Sequence, residues 1–196
     1  MTLAGKVDPG RLVFVDEMGT NTSLAARYAY SPKGSRAYTK VPRNRGANTT
    51  LLGSMSLRGM GPCLAVEGPT TATVFEAYVE RVLAPTLRRG QIVVVDNLGA
   101  HKSERVRKLL EGRGCQLLFL PPYSPDLNPI EEAFSKIKGA LRKARARTRE
   151  ALIEALGVAI SAVTQEMLGA SSSMGATIYP SIFYETRCRQ LSKQYA

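Results

Sequence analysis

Apolar residues change their spacing along this chain, and each change marks a new kind of element. From Arg11, the run Leu12-Val13-Phe14-Val15 ends in Asp16-Glu17 and then breaks at Met18-Gly19, which predicts a short buried strand closed by acids. Ala25 to Tyr30 predicts a following strand turned back by Ser31-Pro32-Lys33-Gly34. Thr49 to Leu57 and Pro62 to Val66 predict two more, around Arg58-Gly59-Met60-Gly61. The first third therefore reads as an antiparallel meander. From Thr71 the period becomes helical, with Val74, Phe75, Tyr78, Val79, Val82 and Leu83 on one face from about Thr73 to Leu87. Ile92 to Val95 returns to strand and ends in Asp96-Asn97. Ser103 to Leu110 predicts a helix with Val106, Leu109 and Leu110 inward, and Leu117 to Leu120 predicts the next strand. A proline-stiffened loop leads to Asn128-Pro129, a strong helix start because Asn caps free amides and Pro suits the first helical position. Helix then runs from Pro129 to about Ala146. It resumes from Thr148 to about Val163, striped by Leu152, Ile153, Leu156 and Ile160.

Length and composition limit what this order can build. The chain has 196 residues, 44% of them apolar, enough for one core but not for a second full domain. The expected division is a domain over residues 1–165 and an atypical tail over 166–196, joined through Ser171-Ser172-Ser173-Met174-Gly175. The tail shows no sustained period, so it is expected to add little to the core. Lys and Arg outnumber Asp and Glu by 27 to 16, and the net charge of +11 favours polyanionic partners. Met1 to Gly10 has no apolar signal core and no run approaches the length of a membrane helix, so a soluble cytoplasmic protein with no membrane partner is expected. Cys63, Cys115 and Cys188 are odd in number and widely spaced, which argues against a disulfide framework or a zinc site.

Two features bear on chemistry. Asp16 and Asp96 each end an apolar strand, and Glu131 lies in the first turn of a later helix, with 34 residues between Asp96 and Glu131. Each acid has another reading: the two aspartates as polar strand ends, and Glu131 as the third helical residue of a capping box begun by Asn128. Glu132 and Asp126 lie close enough in sequence to take the place of Glu131. The second feature is basic. Lys136, Lys138, Arg142, Lys143, Arg145, Arg147 and Arg149 follow one another with no acid among them, as either a solvated helix face or a DNA-backbone contact. Lys33, Arg36, Lys40, Arg43 and Arg45 around Tyr38 form a looser pattern of the same kind.

Three stretches resemble the DDE transposases of the mariner superfamily, in particular its bacterial insertion-sequence branch: Val13-Phe14-Val15-Asp16-Glu17, Val94-Val95-Asp96-Asn97 with Ala100-His101, and Tyr123-Ser124-Pro125-Asp126-Leu127-Asn128-Pro129-Ile130-Glu131. The resemblance covers roughly Arg11 to Val163. It implies an α/β, ribonuclease-H-like fold, a mixed five-stranded sheet flanked by helices. It implies that Asp16, Asp96 and Glu131 are the catalytic and metal-binding acids of an enzyme that cuts and joins DNA strands. The expected cofactor is two Mg²⁺ or Mn²⁺ ions, hard cations that take carboxylate ligands and activate and stabilise phosphate oxygens.

Glu17 alternates to the opposite side of the strand from Asp16, as a supporting or surface acid. Asn97 and His101 match the second motif without being expected metal ligands. Lys136, Lys138, Arg142, Lys143 and Arg145 are the expected DNA contacts. The expected partners are transposon ends and target DNA, further copies of the chain in a dimer or larger active complex, and an upstream helix-turn-helix region for end recognition. A cellular nuclease or resolvase of the same fold, and a non-catalytic basic DNA-binding protein, are the competing readings.

Overall fold

The computed structural model describes residues 7–43, 46–122 and 124–163, so the expectation for the tail over 166–196 lies outside the described residues, as do the side chains of Arg45 and Tyr123. Five strands form one sheet: β1 (Leu12–Thr20), β2 (Thr49–Ser56), β3 (Gly59–Glu67), β4 (Ile92–Val95) and β5 (Gln116–Phe119), in the order β3-β2-β1-β4-β5. The β1, β2 and β3 strands are antiparallel neighbours, whereas β4 and β5 run parallel to β1. That is the mixed five-stranded sheet the family resemblance implies.

Alternation along β1 sends its side chains into two cores, because successive residues of a strand face opposite sides of the sheet. Leu12, Phe14 and Met18, with Ile92 and Val94, pack under α3 (Ile130–Ala144) and α4 (Arg149–Ser161), against Ile130, Phe134, Ile137, Leu152 and Leu156. Val13 and Val15, with Val93 and Val95, pack on the other face. There they meet Phe75 and Tyr78 of α1 (Ala72–Tyr78) and Val106 and Leu110 of α2 (Glu104–Gly112). The sheet is covered by helices on both sides.

Three details depart from the expectation. The β1 strand does not stop at Glu17. Its pairing with β2 runs on through Met18↔Leu51 to Thr20↔Thr49, so Asp16 lies inside a paired strand, opposite Gly53. No strand forms over Ala25–Tyr30; residues 21–32 are irregular, and Tyr28 and Tyr30 are almost fully exposed. The helix over 73–87 is not uniform: α1 widens into a π turn at Val79–Leu83 and closes as a 3₁₀ turn at Ala84–Thr86, since Pro85 has no N–H to continue the ladder. Among the described residues no helix is long and apolar enough to cross a membrane.

Candidate active site

Strand register sets the site. Val15 of β1 pairs with Val95 of β4 in parallel, so Asp16 and Asp96, the next residue on each strand, stand side by side where that pairing ends, about 5 Å apart along the hydrogen-bonding direction. Asp16 faces the α3 side and is buried at 7% exposure, while Asp96, just past the end of β4, is half-buried. Asp16 Oδ1 accepts the Glu17 N–H at 2.7 Å, and Oδ2 accepts the Asn128 side-chain amide at 2.8 Å.

That second bond revises the reading of Asn128. Its side chain does not cap the helix; Pro129 occupies the N-cap position without a side-chain cap, and Asn128 is buried with its amide turned onto Asp16. The capping-box account of Glu131 falls with it. Asn128 ties the start of α3 to the middle of β1, and Glu131 stands in the first turn of that helix, exposed, at the same edge as the aspartates. Burial pushes the Asp16 carboxyl up to about 7 against the pull of the Glu17 N–H, and the charges of Glu131, Asp96 and Glu17 add to the rise. Three neighbouring acids thus act on one carboxyl. Among the described residues no three carboxylate, thiol or imidazole groups stand at metal-holding spacing as they are. The donor chemistry nonetheless fits a hard divalent cation: carboxylates from three separate elements, one of them raised to about 7 by burial and its neighbours' charge.

His101 completes the arrangement. It is fully buried, at 0% exposure, and lies against Phe75 with ring centroids 4.1 Å apart. Nδ1 contacts Asp96 Oδ1, which also accepts the Leu98 N–H at 3.2 Å, and Nε2 stands 3.0 Å from Glu17 Oε2. Asp96 is therefore held through one oxygen. Burial opposes a proton on His101, but the hydrogen bonds to Asp96 and Glu17 and their charges outweigh it and hold the ring up to about 9. Glu17 does lie on the opposite face from Asp16, and its partner there is this imidazolium. The sequence offered no sign of Phe75 beneath the ring, because the helical stripe on α1 reads equally as plain core. Asn128 was visible, but helix capping explained it first.

The basic run divides. Lys136 pairs with Glu132 at 2.8 Å one helical turn away, Arg147 donates to the Thr22 and Leu24 carbonyls at 2.9 and 3.2 Å, and Arg149 pairs with Glu67. Those three cations are engaged within the fold, contrary to a uniformly solvated stretch. Lys138 and Arg142 are half-buried on α3, and Lys143 and Arg145 are exposed at its end.

A family model described as DDE superfamily endonuclease matches residues 11–153. The Tc1 transposase of Caenorhabditis elegans is 28% identical over 145 residues, 70% of this chain and 53% of that protein. The Tcb1 transposase of Caenorhabditis briggsae is 31% identical over 108 residues, 53% of this chain and 40% of that protein. The chain spans about half the length of the curated relatives it matches. Among solved structures, a pre-cleavage Mos1 transpososome superposes with a TM-score of 0.69 at 22% identity, covering 90% of this chain and 55% of that one. The catalytic domain of Mos1 mariner transposase superposes at 0.57 and 21% identity, covering 82% and 74%. Other Mos1 paired-end complexes are described as containing Mg or Mn. The likeness shows a ribonuclease-H-like fold.

Proposed function

The chain belongs to the DDE superfamily endonucleases, and from that premise we propose that it is the catalytic part of a transposase, cleaving DNA strands at the ends of a mobile element and joining them to a target. The observation that carries this reading is the bond from Asn128 to Asp16, which pins the first turn of α3, and with it Glu131, to the edge where Asp16 and Asp96 emerge. A divalent metal, Mg²⁺ or Mn²⁺ and two ions in the full arrangement, would be held by Asp16, Asp96 and Glu131. When bound it supplies an activated attacking oxygen and stabilisation of the leaving oxygen.

The protein's own groups do the rest. Asp16 would serve as a ligand in its ionised form, and the Glu17 N–H and Asn128 amide keep both its oxygens oriented. His101 holds Oδ1 of Asp96, so Oδ2 is the oxygen that would serve a metal. Lys138, Arg142, Lys143 and Arg145 are placed along α3 to take the phosphates flanking the scissile bond, with Lys136 contributing only when Glu132 releases it. Recognition of the element's ends by an upstream helix-turn-helix region, and assembly of two or more copies around paired ends, belong to the same proposal.

The test is strand cleavage of a labelled duplex in Mg²⁺. Asp96→Asn keeps shape and loses charge, so cleavage should disappear while duplex binding persists. Glu131→Gln should match it and Glu132→Gln should be far milder. Comparable Mg²⁺-dependent cleavage by Asp96→Asn and the parent would sink the assignment, and a reversed order of the two glutamines would move the third ligand by one position.

A further inference from the structure

At the end of the sheet away from the acids, the turn between β2 and β3, the start of β1 and the connection entering β4 enclose a cavity of about 510 Å³. Arg11, Arg58, Arg88 and Arg89 line it, and among the described residues no acidic one does. The nearest acid along the chain, Asp8, is occupied with the Gly10 N–H at 2.9 Å. Among the described residues none of the four guanidiniums pairs with a carboxylate. Arg11 donates through Nε to the Gly90 carbonyl at 2.7 Å, which fixes its stem and leaves the outer nitrogens of its fork available.

The walls are set rather than loose. Ser54 donates to the Pro62 carbonyl, Thr86 to the Leu83 carbonyl, and Gln91 accepts from the Arg88 N–H at 2.7 Å. At Gly61 an added Cβ would stand 2.5 Å from Ser54 Oγ, so the glycine is what lets the two β-strands close the wall. Four like charges around one hollow repel one another, and a multivalent anion is the ligand that turns the cost into a gain.

We infer that this cavity is a second phosphate site, gripping the DNA backbone at a point away from the strand being cut. The inference rests on the reading of the protein as a DNA-cutting enzyme. Asp16 lies five residue steps on from Arg11, about 16 Å at about 3.3 Å per residue, so a duplex engaged at the acids, or a second duplex beside it, passes within reach. A planar guanidinium grips phosphate through two parallel bonds, so arginine without any lysine suits fixed phosphates better than a diffuse counterion cloud. Such a grip holds DNA in place without reading its bases.

Two measurements on the full chain decide it. The first is duplex affinity over a range of salt for Arg58→Ala/Arg89→Ala, set beside Arg81→Ala/Lys108→Ala, which removes the same charge from the exposed surface of the π turn after α1 and of α2. The cavity pair should flatten the log–log salt slope by about 1 to 2, at about 0.9 for each phosphate left without its cation, and the surface pair by clearly less. The second is arginine modification by phenylglyoxal read by mass spectrometry on the unaltered protein, where bound duplex should protect the four cavity arginines. Equal slopes for the two pairs, or no protection while DNA is bound, overturn the inference and leave the function standing. A parent protein that neither binds nor nicks DNA takes both down together.

Discussion

In the proposed site, Asp16 is where a proton and a metal would compete. Its folded value of about 7 lies above the ordinary 3.8, so as pH rises through that window the folded chain keeps a proton that the unfolded chain has lost, and stability falls. His101 adds a second loss in the same direction, between its ordinary 6.5 and about 9. Metal-free protein should therefore melt progressively lower from about pH 4 to about pH 9. A divalent cation replaces the Asp16 proton, so the rise in melting temperature on adding Mg²⁺ should be larger at about pH 8 than at about pH 5. An equal rise at both pH values would mean that Asp16 is not where the cation binds. His101 makes a separate claim at the same scale. His101→Ala removes the group that orients Asp96, and partners of metal ligands typically matter by about 10- to 100-fold in metal affinity or activity. The Mg²⁺ concentration for half-maximal cleavage should rise while the duplex dissociation constant stays put, and His101→Gln should recover part of the loss. A change confined to duplex affinity would make His101 a structural residue only.

Among the elements, α3 is the part whose position decides whether the third acid reaches the other two. Its approach depends on Gly53, the β2 residue opposite Asp16, where an added Cβ would come within 3.4 Å of Phe134 on α3 and 3.2 Å of the Met60 side chain. Gly53→Val overpacks that contact, at a typical cost of about 1–3 kcal/mol, and pushes the first turn of α3 off the sheet edge. Cleavage should fall by more than the melting temperature alone would suggest, with duplex binding nearly unchanged. Full activity in a folded Gly53→Val protein would show that α3 reaches the site by another route.

The elements also show what the sequence could and could not disclose. Apolar β-branched runs ended by acids exposed β1 and β4 directly, because a parallel central strand must be buried on both faces. The extension of β1 through Gly19 to Thr20 was hidden, since only pairing with β2 carries the strand past its apolar run. The strand expected at Ala25–Tyr30 had the right residues but pairs with none of the described strands. Asn128 had a sufficient local explanation as a cap, and only a partner 112 positions away in sequence shows otherwise.

For the whole molecule, charge sets the expected behaviour toward DNA. Among the described residues, cations without a carboxylate partner lie along the far half of α3, in the irregular segment between β1 and β2 and around the cavity at the opposite end of the sheet, while Lys136, Arg147 and Arg149 are tied within the fold. Groups so dispersed meet phosphates rather than a line of base edges in the major groove, which is where sequence is read. This chain taken alone should bind duplex DNA tightly at low salt with no preference for sequence. Its affinity should drop by about 10³ or more between about 50 and 200 mM salt if six or more phosphates are neutralised. The measurement is a competition between the terminal repeats of its element and scrambled duplex at two salt concentrations, with and without an upstream helix-turn-helix region supplied in frame. If the chain alone favours its repeats by more than the roughly 1–3 kcal/mol that one good base contact provides, base recognition resides in this α/β unit and the division of labour is wrong. If the preference arrives only with the upstream region while the steep salt dependence belongs to this chain, grip and recognition are separate, and the acids at the sheet edge act on whatever DNA that grip presents to them.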